Sequence, residues 1–287
     1  MVCGPAVLCA LASSPAAAQA WLPPGGSSGV SLEFNHTYNK KHYDPHGNEL
    51  DVGHTRVLSE YLSGSYSPSD RWMLVAGIPY VKARYRGDHP HPDEIDNGDY
   101  HATFTDLRLE AHYQAISGPF ALAPYVALVI PVTDYETMGH AAPGRGLVEA
   151  WVGTYLGQSL DRWIPRTYVQ GRVNYAFVEQ VAGIKHDHIN IDAEVGYFFN
   201  PAVSISVIGQ WQDTDGGISV PIPQSNPLFP HHDQLAATRF FNVAASVSWS
   251  INDRVHTYLM YGTAVHGRNG HKLDESLSFG VSYGSAH

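Results

Sequence analysis

Cysteine is almost missing from this chain of 287 residues: only Cys3 and Cys9 occur, and both fall within the first twenty positions. Once that stretch is set aside, disulfides, thiolate metal sites and cysteine nucleophiles are excluded together, which suits a chain that works in an oxidising compartment. Long apolar runs are missing as well. Nothing after residue 20 approaches the 18 or so consecutive apolar residues of a spanning helix, so any membrane crossing has to be made by strands. Charge is sparse, at 15% of residues, and its balance is −10. A chain of that sign lacks the basic face that nucleic acid requires, and no nucleic-acid partner is expected. Helical periodicity is hard to find anywhere.

Familiar catalytic spellings are scarce too. None of the 17 histidines is followed two positions later by serine, as a barrel phospholipase would need, and there is no His-Glu-x-x-His and no phosphate loop. An enzyme is not expected.

What the sequence does contain begins with a leader. Val2 to Ala12 is apolar, Ser13 to Ala17 is small, and Ala18-Gln19-Ala20 fits the small-x-small pattern cut by signal peptidase. Residues 1–20 therefore read as a cleaved signal peptide and 21–287 as one domain. That domain is built from alternation. Twelve segments of alternating apolar and polar residues are placed at 29–39, 51–66, 71–85, 103–116, 120–133, 147–160, 167–178, 188–199, 202–213, 238–250, 254–266 and 274–283. Most are ten residues or longer, a length that suits a tilted bilayer crossing better than a soluble sheet.

Their connections alternate between short and long without exception. The short ones, such as Ser67-Pro68-Ser69-Asp70, Ser117-Gly118-Pro119 and Asn200-Pro201, carry turn-forming residues. An even number of strands with tight turns on one side and long loops on the other defines an all-β, up-and-down transmembrane barrel of the outer membrane, with both termini periplasmic. The expected surroundings are membrane lipid, lipopolysaccharide and the barrel-insertion machinery. The last strand, with Leu277, Phe279, Val281 and Tyr283 in one phase, resembles the C-terminal sorting segment of such barrels, extended by Gly284-Ser285-Ala286-His287.

Twelve closed strands enclose more space than side chains fill, so the polar phase is expected to line a hydrated lumen and the apolar phase to face lipid. The candidate lumen residues are Arg56, Glu60, Arg84, Asp106, Arg108, Glu110, Glu149, Arg172, Asp192 and Glu194. The alternative is a soluble two-sheet protein with the same alternation turned the other way.

Histidine equals lysine and arginine combined, and thirteen of the seventeen lie in or beside the expected outer loops. His89 with His91 and His186 with His188 recur at the period of two that aligns side chains, and His231-His232 adds a pair in the longest loop. Imidazole with nearby carboxylate suits Zn²⁺, Cu²⁺ or Ni²⁺, which makes these six residues candidate metal ligands, although no resident cofactor is required. The same histidines would also make a proton-sensitive mouth. Loop 214–237, glycine-led and rich in proline, either folds inward as a constriction or lies over the rim.

Two stretches carry a family likeness: Phe104 to Ala111 followed by Tyr113, and Pro124 to Tyr135 followed by Gly144-Arg145-Gly146. They resemble the outer-membrane transporter family named for the meta-pathway of phenol degradation. The resemblance implies a barrel that passes small solutes, aromatic ones among them, and brings no catalytic residue. The function expected is passive passage of a small-molecule solute. The competing expectation is a non-conducting barrel whose histidine-rich rim binds metal or a partner.

Overall fold

Each alternating segment becomes a strand, and the strands close on themselves. The computed structural model describes residues 20–87 and 95–285. The leader thus lies almost wholly outside the described residues, as do His89 and His91. The barrel strands are β1 (Ser28–Asn39), β2 (His54–Ser69), β3 (Trp72–Arg86), β4 (His101–Phe104 continued by Asp106–Tyr113), β5 (Phe120–Pro131), β6 (Glu149–Ser159), β7 (Thr167–Val178), β8 (His186–Asn200), β9 (Val203–Gly216), β10 (Arg239–Ser250), β11 (Val255–Arg268) and β12 (Glu275–Gly284). Every neighbouring pair is antiparallel, and β1 pairs with β2 on one side and with β12 on the other, from Gly29↔Gly284 to Tyr38↔Glu275. Closure removes the sheet edges that would otherwise be left unpaired in lipid.

Strand β4 is broken at Thr105. Tyr80 pairs with Phe104 above the break and Gly77 with Arg108 below it, a slip of one residue. That bulge turns Phe104 outward and Asp106 inward although the two share a phase in the sequence.

The inside and the outside follow from which phase is covered. On β1, Val30, Leu32 and Phe34 are exposed while Glu33, Asn35 and Thr37 are buried. On β9, Ile205 and Val207 are exposed while Ser204 and Ser206 are buried. An outer surface of Val, Leu, Ile, Phe and Tyr is compatible only with lipid, so the chain is a membrane barrel and the soluble alternative does not hold.

One sector departs from the expected polar interior. On β5 both phases are apolar, with Ala121, Ala123, Tyr125, Ala127 and Val129 turned inward and Val126 and Leu128 outward. Trp151 and Tyr155 of β6 continue this inner patch. Alternation hides such a sector, because a strand with two apolar faces reads only as hydrophobic.

The lumen and its outer mouth as candidate functional site

The lumen has two unlike walls. Strands β4 to β8 carry the charge. Arg108 Nε donates to Glu110 at 2.5 Å, and His112 Nε2 meets the other oxygen of the same carboxylate at 2.8 Å. Arg172 of β7 pairs with Asp192 of β8 at 2.5 Å. Both guanidinium groups lie against aromatic rings, Arg108 over Trp151 at 4.3 Å and Arg172 near Tyr155 at 5.9 Å. His112 stacks on Tyr125 with ring centroids 5.2 Å apart. Period-two spacing within β4 and register across β7 and β8 bring these groups together, since Arg172 and Asp192 are direct cross-strand partners. Glu194 accepts from Tyr168 and Gln170, Asp106 accepts from Tyr135, and Glu149 accepts from Trp151 and pairs with Arg145. The result is a wall where each charge is answered by a neighbour and flat aromatic faces alternate with guanidinium planes.

The opposite wall is small and hydroxylated. Ser31, Ser63, Ser65, Ser67 and Ser282 line a cavity of about 350 Å³ at the tight-turn end. Ser204, Ser206, Ser246, Ser248, Ser276 and Ser278 are buried on the same inner phase. Short side chains leave room on this side of the bore. Serine was not among the expected site residues, because outside a barrel it reads as ordinary polar alternation.

A segment ahead of β1 enters this space. Trp21 Nε1 donates to the Gly118 carbonyl at 2.7 Å, and the Leu22 amide donates to Gln114 Oε1 at 2.6 Å. Gly157 makes the fit possible, since a Cβ there would stand 2.5 Å from the Trp21 ring. Substitution Gln114→Ala removes the hydrogen bond that holds Leu22, and the expected outcome is a higher single-channel conductance in a planar bilayer. An unchanged conductance would show that this segment does not narrow the path. Just beyond it, Gly25-Gly26-Ser27-Ser28-Gly29 spells Gly-x-Ser-x-Gly but runs directly into β1. The strand-turn-helix setting that makes such a serine a nucleophile is therefore missing.

Three expected lumen residues are placed elsewhere. Arg56, Glu60 and Arg84 share the outer phase with Leu62, Tyr66 and Leu74, because they are cross-strand partners of outward residues: Tyr38↔Arg56, Phe34↔Glu60 and Arg56↔Arg84. Arg56 covers the Tyr38 ring at 4.3 Å, Arg84 covers Tyr100 at 4.5 Å, and Glu60 pairs with Lys82 at 3.8 Å. The reason is length. β2 and β3 have 16 and 15 residues, and at about 3.4 Å per residue and a tilt near 40° they rise roughly 40 Å against an apolar band of about 25 Å. Their upper ends stand in water, where charge is cheap on either face. Asp106, Arg108, Glu110, Glu149, Arg172, Asp192 and Glu194 all turn inward.

Above the lumen the loops fold together. Short strands Lys41–Tyr43, Glu49–Leu50 and Gly270–Lys272 form a small sheet from the loops after β1 and β11. Glu49 accepts from Lys41 and Lys272 there, and these two cations hold its carboxyl down at about 2. The longest loop is covered near both ends, where Val220 and the whole of helix α1 (His232–Leu235) are buried, while 221–230 between them holds no buried residue. It is tied to the loop after β11 by the Val220 amide, which donates to Asn269, and to the loop after β5 by Gln234, which donates to the Arg145 carbonyl.

Of the six expected metal ligands, His89 and His91 lie outside the described residues, and the other four do not come together as one set. His186 and His188 lie buried on β8, where His188 approaches Glu149 at 3.9 Å. His231 is 3.1 Å from Gln234 Oε1, and His232 alone reaches the centre of the mouth. The histidines that do meet are His42, His140, His232 and His271, from four different loops. His42 and His271 face each other as cross-strand partners with ring centroids 4.2 Å apart, and His140 lies 5.5 Å from His42 and 5.9 Å from His232. No spacing rule joins positions so far apart, so only the fold brings them together. Burial pushes His42 down to about 3 and His232 to about 4, and His271 well below the usual imidazole range. Burial thus favours the neutral form of these three rings.

A closed twelve-strand antiparallel cylinder with a lipid-facing skin and a polar, partly aromatic bore is an outer-membrane β-barrel of the porin-like class. The chain belongs to the family described as "Putative MetA-pathway of phenol degradation", whose profile matches residues 40–279. No curated protein matches it in sequence. Among solved structures, it is similar to an outer membrane channel from Pseudomonas putida F1 at 13% identity and a TM-score of 0.75, over 94% of this chain and 99% of that one. It also resembles the KdgM porin, at 10% identity and 0.50 over 90% and 99% of the two chains. The translocator domain of the autotransporter NalP from Neisseria meningitidis is similar at 10% identity and 0.51, over 97% and 92%.

Proposed function

We propose that this protein is a passive channel of the outer membrane for a small, planar solute, exported by its leader and inserted with both termini in the periplasm. The observation that carries the reading is the pairing of unlike walls inside one closed cylinder: serine hydroxyls opposite a bank of Arg108, Arg172, Trp151, Tyr125 and Tyr155. An aromatic compound with hydroxyl or carboxylate substituents finds ring faces and guanidinium donors on one side and hydroxyl partners on the other. The family description, which names phenol degradation, and neighbours named as an outer membrane channel and a porin support that choice. Residence is short on such a surface because the charges are already paired with one another, and weak, repeated contacts let a solute leave as readily as it enters.

Reconstitution in planar bilayers tests it. Discrete conductance steps are expected, with flicker or block on addition of a phenol or benzoate and less block after Tyr125→Ala. A barrel that inserts normally, shows heat-modifiable migration and never conducts would overturn the channel reading in favour of a binding protein.

A further inference from the structure

We infer that His42, His140 and His271, with Asp233 behind them, form a binding site for one transition-metal ion of the Zn²⁺, Cu²⁺ or Ni²⁺ class at the centre of the outer mouth. This set differs from the six histidines that the sequence suggested, and it stands whether or not the barrel conducts.

Proximity is the first observation. The nearest ligating nitrogens of His42, His140 and His271 all lie within 4.8 Å of one another, and His140, His232 and Asp233 satisfy the same limit. A tetrahedral ion with bonds of about 2.0–2.1 Å keeps its ligand atoms about 3.4 Å apart, so side-chain rotations moving each nitrogen by roughly an ångström complete the site. Three imidazoles from three loops are the ligand set of an open tetrahedral centre with one position left over.

Unmet bonding is the second. His42 is 1% exposed, and neither of its ring nitrogens has a hydrogen-bond partner. His271 Nε2 is likewise buried and unpartnered, while its Nδ1 is 3.5 Å from the Thr55 hydroxyl. Buried polar atoms almost always find a partner, and leaving one without costs about 1–3 kcal/mol, so two unmet rings facing each other call for a ligand between them. Water would answer one nitrogen. A divalent ion answers several at once.

The third observation is the shell behind the rings. His140 Nδ1 is 3.4 Å from Asp233 Oδ1, which places a carboxylate where it raises the basicity of the imidazole. Asp233, 2% exposed, also stands 3.5 Å from His232 Nε2. Tyr85 packs on the other face of His140 at 4.4 Å, and the carboxylate of Asp96 accepts the His140 and Ala141 amides, which fixes the backbone that presents the ring. Because the ligands come from the loops after β1, β5 and β11, with the loop after β9 supplying Asp233, a bound ion would tie four loops across the mouth.

Titration calorimetry of the purified, metal-stripped barrel in detergent with ZnCl₂ tests the site, with Co²⁺ absorption as a second readout. One equivalent is expected to bind in the micromolar range or tighter, and Co²⁺ is expected to give the intense visible bands of four-coordination. In the pair H42A and H271A, checked for folding by heat-modifiable migration, the dissociation constant is expected to rise roughly 100-fold or more. H231A, outside the cluster, serves as the control with affinity unchanged. Absence of stoichiometric binding to the wild-type barrel overturns the proposal without need of any variant, and so does undiminished affinity in H42A with H271A.

Discussion

Arginine at Val207 is expected to destabilise the folded barrel by about 2–4 kcal/mol, the cost of a lipid-facing cation near the bilayer midplane. Val207 sits near the middle of the membrane-crossing part of β9, is 62% exposed, and is flanked on its own face by Ile205, with Ala245 opposite on β10. A guanidinium there has no water, no carboxylate partner and little reach to the headgroups, so it must thin the bilayer around it or bend toward an interface. The matched comparison is Ser65→Arg. Ser65 lines the wide hydroxylated cavity inside the same barrel, and a cation there remains solvated. Its expected cost is below about 1 kcal/mol, with the effect appearing instead as altered conductance and ion selectivity. Guanidinium unfolding in lipid vesicles measures both. Equal costs for the two substitutions, or a larger one for Ser65→Arg, would mean that the assignment of outside and inside is reversed.

Loss of the Glu110 carboxylate is the second large effect. Glu110 is held between Arg108 and His112 on one strand, with little of any of the three side chains exposed. Glu110→Ala leaves the Arg108 cation without its counter-charge in a covered site, and breaking such a pair costs about 3–5 kcal/mol. Replacing both partners, Glu110→Ala with Arg108→Met, is expected to recover much of that loss. Methionine keeps a long apolar stem against the Trp151 face, and no charge remains to be satisfied. A double variant as unstable as Glu110→Ala alone would show that packing, not electrostatics, dominates there. A Glu110→Ala barrel within about 0.5 kcal/mol of wild type would show that water screens the pair as it does surface ion pairs.

Most of the barrel was legible in the chain because a transmembrane strand writes itself as alternation over ten or more residues, and turn chemistry marks where it ends. Strand β7 was placed at its observed limits, and β5 differed by two residues at one end. Three kinds of feature were not legible. The bulge at Thr105 changes phase without any residue type that announces it. The aromatic inner face of β5 and β6 looks like any hydrophobic strand until the cylinder closes around it. The outward position of Arg56, Glu60 and Arg84 depends on how far β2 and β3 rise beyond the lipid, which period two cannot report.

Local order was therefore settled by the sequence: strand count, the alternation of short and long connections, and the division of each strand into an apolar and a polar phase all follow from residue spacing along one chain, whereas closure of the cylinder decided which phase faces outward. Convergence was settled by the tertiary structure alone. Register aligned Arg172 with Asp192, and folding of four loops over one opening brought His42, His140, His232 and His271 together. Contacts of that kind depend on where distant segments are carried when a sheet closes, and spacing along the backbone holds no record of it.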